Sequence, residues 1–420
     1  AGSACWLQDS SCTLTGFGIS LPAVDEGGDA WIARLGPGGE ALWSLMIGSK
    51  GFDSIHSVAE SPDGSIYISG TFCQGISLLC KIPIGDQLHQ SEGGADVMVA
   101  KLSPGGDVLW SKSFGSGSTD TDMWNSWYSL SQKGLVATPD GGVLISGWAC
   151  ESWNANCQMT IETGYVVYNH NPYILKYASD GTIERLTTMN GDGADFVQAM
   201  VPVDDSRVLI AGNHYSSTLY AGSLSVYNSG GSDAWYAIYN HSSHQFENLW
   251  DSKSDGNEAF HSAAVMPDGN FVIGGTQCWG NGADCPFSIE TKPGSESTRY
   301  SSTNAEGFLM LHDAEWDSIA WMKGIDVHDY SESTASYPSN LAVSNTGNIA
   351  TNFPVCVSDN HTGCNAGIGD QIFSSVDNAT LIYQITFDSD GDGIMDADDL
   401  CLVSPEDGWV SDQASDLDGD

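Results

Sequence analysis

Positive charge is scarce in this sequence: 13 Lys and Arg stand against 54 Asp and Glu, a net charge of −41 over 420 residues. A polyphosphate partner needs basic patches, so DNA and RNA are excluded. Long apolar runs are missing as well. No stretch of about 18 apolar residues occurs, which excludes a membrane-spanning helix. Helical periodicity is nearly absent. No nucleophile elbow, paired-histidine zinc motif or phosphate-cradling glycine loop stands out. What is present is a folding composition: 41% hydrophobic residues, with 14 Trp, 15 Tyr and 13 Phe. The start at Ala1-Gly2-Ser3 is compatible with a mature N-terminus left by cleavage of a leader.

Internal repetition sets the fold class. Asp29–Gly48 (DAWIARLGPGGEALWSLMIG) and Asp96–Gly115 (DVMVAKLSPGGDVLWSKSFG) match without a gap. Weaker copies run over Tyr173–Leu186, Asp233–Asp251 and Glu306–Lys323, and an incomplete sixth is Thr380–Phe387. Trp43, Trp110, Trp250 and Trp321 fall at equivalent places. Between them lie five copies of a second module: Ile55–Phe72, Leu135–Ala149, Phe196–Asn213, Phe260–Gln277 and Asn340–Pro354. Ile66 and Ile68, like Val143 and Ile145, recur with the period of a strand. Turns such as Pro62-Asp63-Gly64 and Pro139-Asp140-Gly141 combine the fixed φ of Pro with the permissive φ of Gly. Two hairpins make a four-stranded unit too small to stand alone. Units arranged about an axis bury both faces against neighbours, so the expectation is a β-propeller over residues 1–387. Six copies of one module against five of the other favour five blades, closed by strands from Asp29–Gly48 or Thr380–Phe387, with six as the alternative. A spare hairpin leaves an open strand edge, which points to self-association as a second way of using it.

Ten of the eleven cysteines form local pairs: Cys5/Cys12, Cys73/Cys80, Cys150/Cys157 and Cys278/Cys285 are C-x6-C, and Cys356/Cys364 is C-x7-C. Zinc sites use tighter spacing, so these read as five disulfides, each pinning a loop and each contributing roughly 2–3 kcal/mol. The unit beginning near Tyr215 has no such pair. Disulfides imply an oxidising, extracellular or cell-surface setting.

After Phe387 the composition turns abruptly acidic. In Asp388–Asp399, oxygen donors at loop positions 1, 3, 5, 7, 9 and 12 are Asp388, Asp390, Asp392, the Ile394 carbonyl, Asp396 and Asp399. Gly393 allows the sharp turn, so residues 388–420 are expected to hold Ca²⁺. This segment resembles the thrombospondin type 3 repeat, whose D-x-D-x-D-G-x-x-D-x-x-D-x-C pattern runs here from Asp388 to Cys401. The resemblance implies calcium in a nearly helix-free loop and a bridge from Cys401 to a later repeat. Asp416, Asp418 and Asp420 then begin a second calcium loop, and the sequence reads as stopping inside it. Leu402 departs from the Pro often found there. The propeller units resemble those of secreted bacterial and archaeal proteins with the form D-A-F-V-A-K-L-D-P-S-G-N-L-L-W-S, here Asp29–Ser44 and Asp96–Ser111. That resemblance implies an extracellular propeller and no single activity.

Several other residues invite chemical roles. Asp53, Asp120, Asp122 and Asp195 sit in Gly-rich loops, where Asp more often bonds its own backbone than a cation. His56 and His261 occupy equivalent places, but a metal role needs more than two such residues. Arg34, Lys101 and Lys176 repeat at one strand position, with heads expected on local carboxylates. The repeated Trp residues read as inter-blade core rather than sugar platforms. Asn240, Asn360 and Asn378 begin glycosylation sequons. The expected function is a non-catalytic surface or adhesion protein with a carbohydrate or surface-protein ligand. The alternative is a secreted enzyme acting on polysaccharide at the axial mouth.

Overall fold

The computed structural model describes residues 1–5, 12–25, 27–75, 80–117, 134–149, 158–162, 164–168, 170–279, 286–291, 296–300, 306–315, 317–328, 340–355, 364–368, 371–375 and 379–385. Among these residues every regular element is a strand; there is no helix, and so none long enough to cross a membrane. The fold class is a β-propeller, built from antiparallel blades whose strands pair in chain order. Blade 2 is Phe52–Glu60, Ile66–Gln74, Asp96–Leu102 and Val108–Phe114. Blade 3 is Leu135–Ala137, Val143–Trp148, Pro172–Tyr177 and Ile183–Thr188. Blade 4 is Asp195–Pro202, Arg207–His214, Asp233–Asn240 and Gln245–Lys253. Blade 5 is Asn257–Val265, Phe271–Trp279, Glu306–Asp313 and Ser318–His328.

The terminal blades have three strands each among the described residues. Blade 1 is Gly2–Ala4, Asp29–Leu35 and Ala41–Ile47, and blade 6 is Asn340–Val343, Ile349–Val355 and Ala379–Ile385. The chain therefore carries six blade-type sheets among the described residues. The hairpin left over in the sequence count is Asp29–Leu35 with Ala41–Ile47 of blade 1, which match the third and fourth strands of the complete blades. It pairs with Gly2–Ala4, through Ala4↔Asp29 and Gly2↔Trp31. Ala379–Ile385 likewise pairs inside blade 6, from Val355↔Ala379 to Ile349↔Ile385. The chain forms two compact units, Ala1–Phe260 with Phe287–Ile289, and His261–Pro286 with Glu290–Asp420. The expected boundary at residue 387 lies outside the described residues.

Period-2 alternation works differently from a sheet with one wet face. In blade 2, Ile66, Ile68, Met98 and Ala100 pack toward blade 1, in a cluster with Ala30, Ile32 and Ile47. Tyr67, Val97 and Val99 point the other way, into a cluster with Leu135, Val143 and Ile145 of blade 3. All seven residues of Asp96–Leu102 are consequently buried. This two-sided burial is what a blade gains from its neighbours.

Tryptophan fastens one blade to the next. Trp43 of blade 1 donates Nε1–H to Pro104 O of blade 2 at 2.9 Å, and Trp110 of blade 2 donates to Ser179 O of blade 3 at 3.0 Å. Each indole lies over a turn glycine with a left-handed φ, Gly106 at 93° and Gly181 at 84°. The inter-blade reading of Trp43 and Trp110 holds.

A second set of short hairpins was not expected. One lies between the second and third strands of every blade; examples are Lys81–Ile84 with Gln87–Gln90 in blade 2, and Thr218–Ala221 with Leu224–Tyr227 in blade 4. From blade 3 onward, each hairpin pairs with the outermost strand of the blade before it, or with its continuation. The contacts are Gly115↔Thr160, Asn190↔Tyr220, Ser252↔Ile289 and Ile325↔Ile368. The hairpins thus cover part of the edge that each outer strand would otherwise leave open.

Candidate functional site

Two of the expected disulfides are formed, Cys5–Cys12 and Cys73–Cys80. The first cysteine of each has a φ of 63°, a backbone position that non-glycine residues rarely hold. Each pair closes the loop between the blade's second strand and its short hairpin. Cys150, Cys157, Cys285 and Cys356, and the side chains of Cys278 and Cys364, lie outside the described residues. So do all the calcium ligands expected from Asp388, Asp390, Asp392, Ile394, Asp396 and Asp399 to Asp416, Asp418 and Asp420, as well as Asp120 and Asp122.

Of the aspartates expected in Gly-rich loops, Asp53 and Asp195 instead lie at the start of the strands Phe52–Glu60 and Asp195–Pro202, where they fasten neighbouring backbone. Asp53 is fully buried and accepts Ser49 N–H at 2.6 Å, Ser49 Oγ–H at 2.7 Å and Cys73 N–H at 2.8 Å. Asp195 accepts Ser216 N–H at 3.1 Å and Ser216 Oγ–H at 2.6 Å. Burial pushes the two carboxyls up, to about 7 and about 6, against the pull of these donors. In blades 1, 2 and 4 the aspartate that opens the strand after the short hairpin has a parallel task. Asp29 accepts Val24 N–H, Asp96 accepts Glu92 N–H and Asp233 accepts Ser229 N–H.

The repeated cations also find structural partners. Arg34 meets Glu60 at 3.0 Å, Lys101 meets Asp63 at 3.4 Å, and Lys176 meets Asp140 at 2.6 Å. Asp63 and Asp140 are the aspartates of the Pro-Asp-Gly turns, so one residue serves both turn and ion pair. His56 Nε2 lies 3.0 Å from Thr71 Oγ1, and His261 Nε2 lies 3.1 Å from Thr276 Oγ1. Burial drives both imidazoles down, to about 4 and about 3, so they are neutral. Asn240 is engaged on both sides of its amide, donating to Glu247 Oε1 and accepting Ser242 and Ser243 N–H.

Within the first unit, the first strands of blades 2, 3 and 4 border an open cavity of about 700 Å³. Glu60, Pro62, Thr138, Pro139, Asp204 and His241 are among its lining. Burial would raise the Asp204 carboxyl, but donors from Ser206 and Arg207 hold it at about 2. Glu60 is paired with Arg34.

No protein-family model matches the sequence, and a search of curated proteins finds no match. Among solved structures, a europium-containing methanol dehydrogenase is similar at 10% identity and a TM-score of 0.33, over 78% of this chain and 70% of that one. A likeness of that size carries no argument about this chain.

Blade 4 departs from the repeat at one end. The register sets His214 opposite Asp233, as it sets Phe72 opposite Asp96 in blade 2. On the other side, Lys253 stands where blades 1 and 2 have Gly48 and Gly115. Those glycines leave space that the Asp29 and Asp96 carboxylates fill; an added Cβ would come within 2.0 Å and 2.2 Å of an Oδ1 atom. His214, Asp233 and Asp251 come together with ligand atoms within 4.8 Å of one another. His214 and Asp233 are fully buried and Asp251 is 9% exposed. Lys253 closes the cluster, with its ammonium on Asp251, 4.0 Å from Asp233 Oδ2 and donating to Tyr227 O. Burial pushes His214 down to about 4 and Asp233 up to about 6, and also raises Asp251. Sequence reasoning noted that this unit lacks its cysteine pair and did not single out these residues. The legible signal was Lys where blades 1 and 2 have Gly, beside a His where blades 2 and 3 have Phe72 and Trp148.

Proposed function

We propose that the chain is an extracellular or cell-surface structural protein, without catalytic activity, that presents a disulfide-pinned propeller on a calcium-stiffened acidic segment. One observation carries this reading: the recurring polar residues are fastenings. Turn aspartates hold strand lysines, aspartates at strand starts hold backbone amides, and tryptophans hold the next blade's turn. Two formed disulfides support an oxidising setting. The rival reading, polysaccharide cleavage at the axial mouth, needs a carboxyl kept protonated beside an ionised one. Of the carboxylates bordering the cavity (Glu60, Asp204 and Asp205), Asp204 is held ionised and Glu60 is ion-paired, so neither supplies the protonated acid, which favours the structural reading.

The calcium segment follows from its resemblance to the thrombospondin type 3 repeat, with Asp388–Asp399 as the first loop. Self-association would use the Gly2–Ala4 edge of blade 1, which has a partner strand on one side only among the described residues. The external ligand would be a carbohydrate or a surface protein. Limited proteolysis and sedimentation of the intact chain test the proposal together. EDTA should speed cleavage between residues 387 and 420 while sparing the propeller, and unchanged cleavage would remove calcium from it. With Ca²⁺ present, the intact chain should sediment as an oligomer, and a form lacking residues 1–28 should remain a folded monomer. A monomeric intact chain at high concentration would remove self-association.

A further inference from the structure

We propose that blade 4 holds a divalent transition-metal cation, of which zinc is the natural probe, through His214, Asp233 and Asp251.

The tautomer of His214 is the starting point. Its Nδ1 lies 3.1 Å from the carbonyl oxygen of Ser216. A carbonyl only accepts, so Nδ1 carries the proton and Nε2 carries a lone pair. Nε2 is buried and has no hydrogen-bond partner. Asp233 Oδ1 is in the same state, because both donors from Ser229 go to Oδ2. Two buried acceptors without donors, close to a third acceptor on Asp251, form a set that a cation satisfies and a water molecule does so only in part. A backbone carbonyl holding the far nitrogen of a ligating histidine is also the usual support for such a ligand.

The donor set selects the metal. Calcium and magnesium prefer oxygen alone, whereas one imidazole with two carboxylates suits zinc and its neighbours. Three protein ligands leave a fourth position open. Two carboxylates and a neutral imidazole carry −2, matching the ion. Lys253 is the counter-ion when no metal is bound. Its side chain is 40% exposed, so it can leave for solvent along the route the metal enters. The site stands in the blade that has no cysteine pair, at the corresponding end of the second strand, where a bound ion would tie second, third and fourth strands together. It uses no residue of the acidic C-terminal segment and does not depend on calcium binding there.

The test uses the full chain, stripped of metal and held in saturating calcium so that oxygen-only sites are filled. Zinc retained after gel filtration is counted for the wild type, His214→Ala, Lys253→Met and a control, His244→Asn. The wild type and the control should each keep one zinc ion more than His214→Ala. Lys253→Met should bind that ion about tenfold tighter, since no ammonium has to be displaced. Equal zinc in the wild type and His214→Ala overturns the proposal. Should His214→Ala fail to fold, crystals of the wild type soaked in zinc decide it. Anomalous density among the three side chains supports the site, and its absence there overturns it.

Discussion

Replacing Gly106 with alanine measures the tryptophan fastening between blades 1 and 2, because the repeat supplies its own control. Gly39 occupies the same place in the blade 1 turn, with a φ of 83° against 93° at Gly106, and each amide closes a turn onto the residue three before it. Nothing lies within 4 Å of a Cβ added at Gly39. At Gly106 the same atom would sit 2.7 Å from Trp43 Cδ2 and 3.0 Å from Cε3. Gly39→Ala should therefore cost only the left-handed backbone, about 1 kcal/mol. Gly106→Ala should cost that plus displacement of the indole. The displacement breaks the 2.9 Å bond from Trp43 to Pro104 O, about 1 kcal/mol, and loosens packing worth about another 1–2 kcal/mol. The expected totals are about 1 and about 3–4 kcal/mol, read as urea-unfolding free energies with the disulfides intact. In a Trp43→Ala background the cost of Gly106→Ala should fall to that of Gly39→Ala, a coupling that a double-mutant cycle isolates. Equal costs for the two glycine substitutions in the wild-type background would refute the fastening.

Two further outcomes are expected. His261 titrates at about 3 in the folded chain against 6.5 when free, because burial disfavours its charge. Its stabilising contribution is full above pH 6.5 and is lost as pH falls toward 3, so His261→Gln should resist acid better than the wild type. At about pH 4.5, the loss of stability relative to pH 7 should be smaller by about 3 kcal/mol in the variant; parallel pH profiles would show that the imidazole is not buried neutral. Non-reducing peptide mapping should recover Cys150–Cys157, Cys278–Cys285 and Cys356–Cys364 beside the two disulfides seen, and bridges between different units would contradict the local-staple reading.

The repeat was legible because its signals are local. Pro62-Asp63-Gly64 announces a turn, and Lys101 announces a partner because a nearly isolated cation on a strand needs one. That this partner is the turn's own Asp63 follows from the register of Asp96–Leu102 against Ile66–Gln74, which the sequence does not spell out. The short hairpins escaped notice because Lys81–Ile84 and Gln87–Gln90 are four residues each, too short for a period to register. The alternation of Ile66 and Ile68 was visible, but Tyr67 between them is equally buried, since it faces another blade. The blade 4 cluster draws on positions 214, 233 and 251, and only the strand register brings them together.

The short hairpins give the chain a direction. From blade 3 onward each is laid across the outer strand of the blade before it and, among the described residues, not across that of the blade after. Two ends pulled apart would then meet different resistance. Drawn from the C-terminal side, a blade must first peel its own hairpin from the strand beneath. Drawn from the N-terminal side, a blade takes away the strand on which the next hairpin rests. A protein loaded at a surface would yield unequally by the end it is pulled from, one blade at a time.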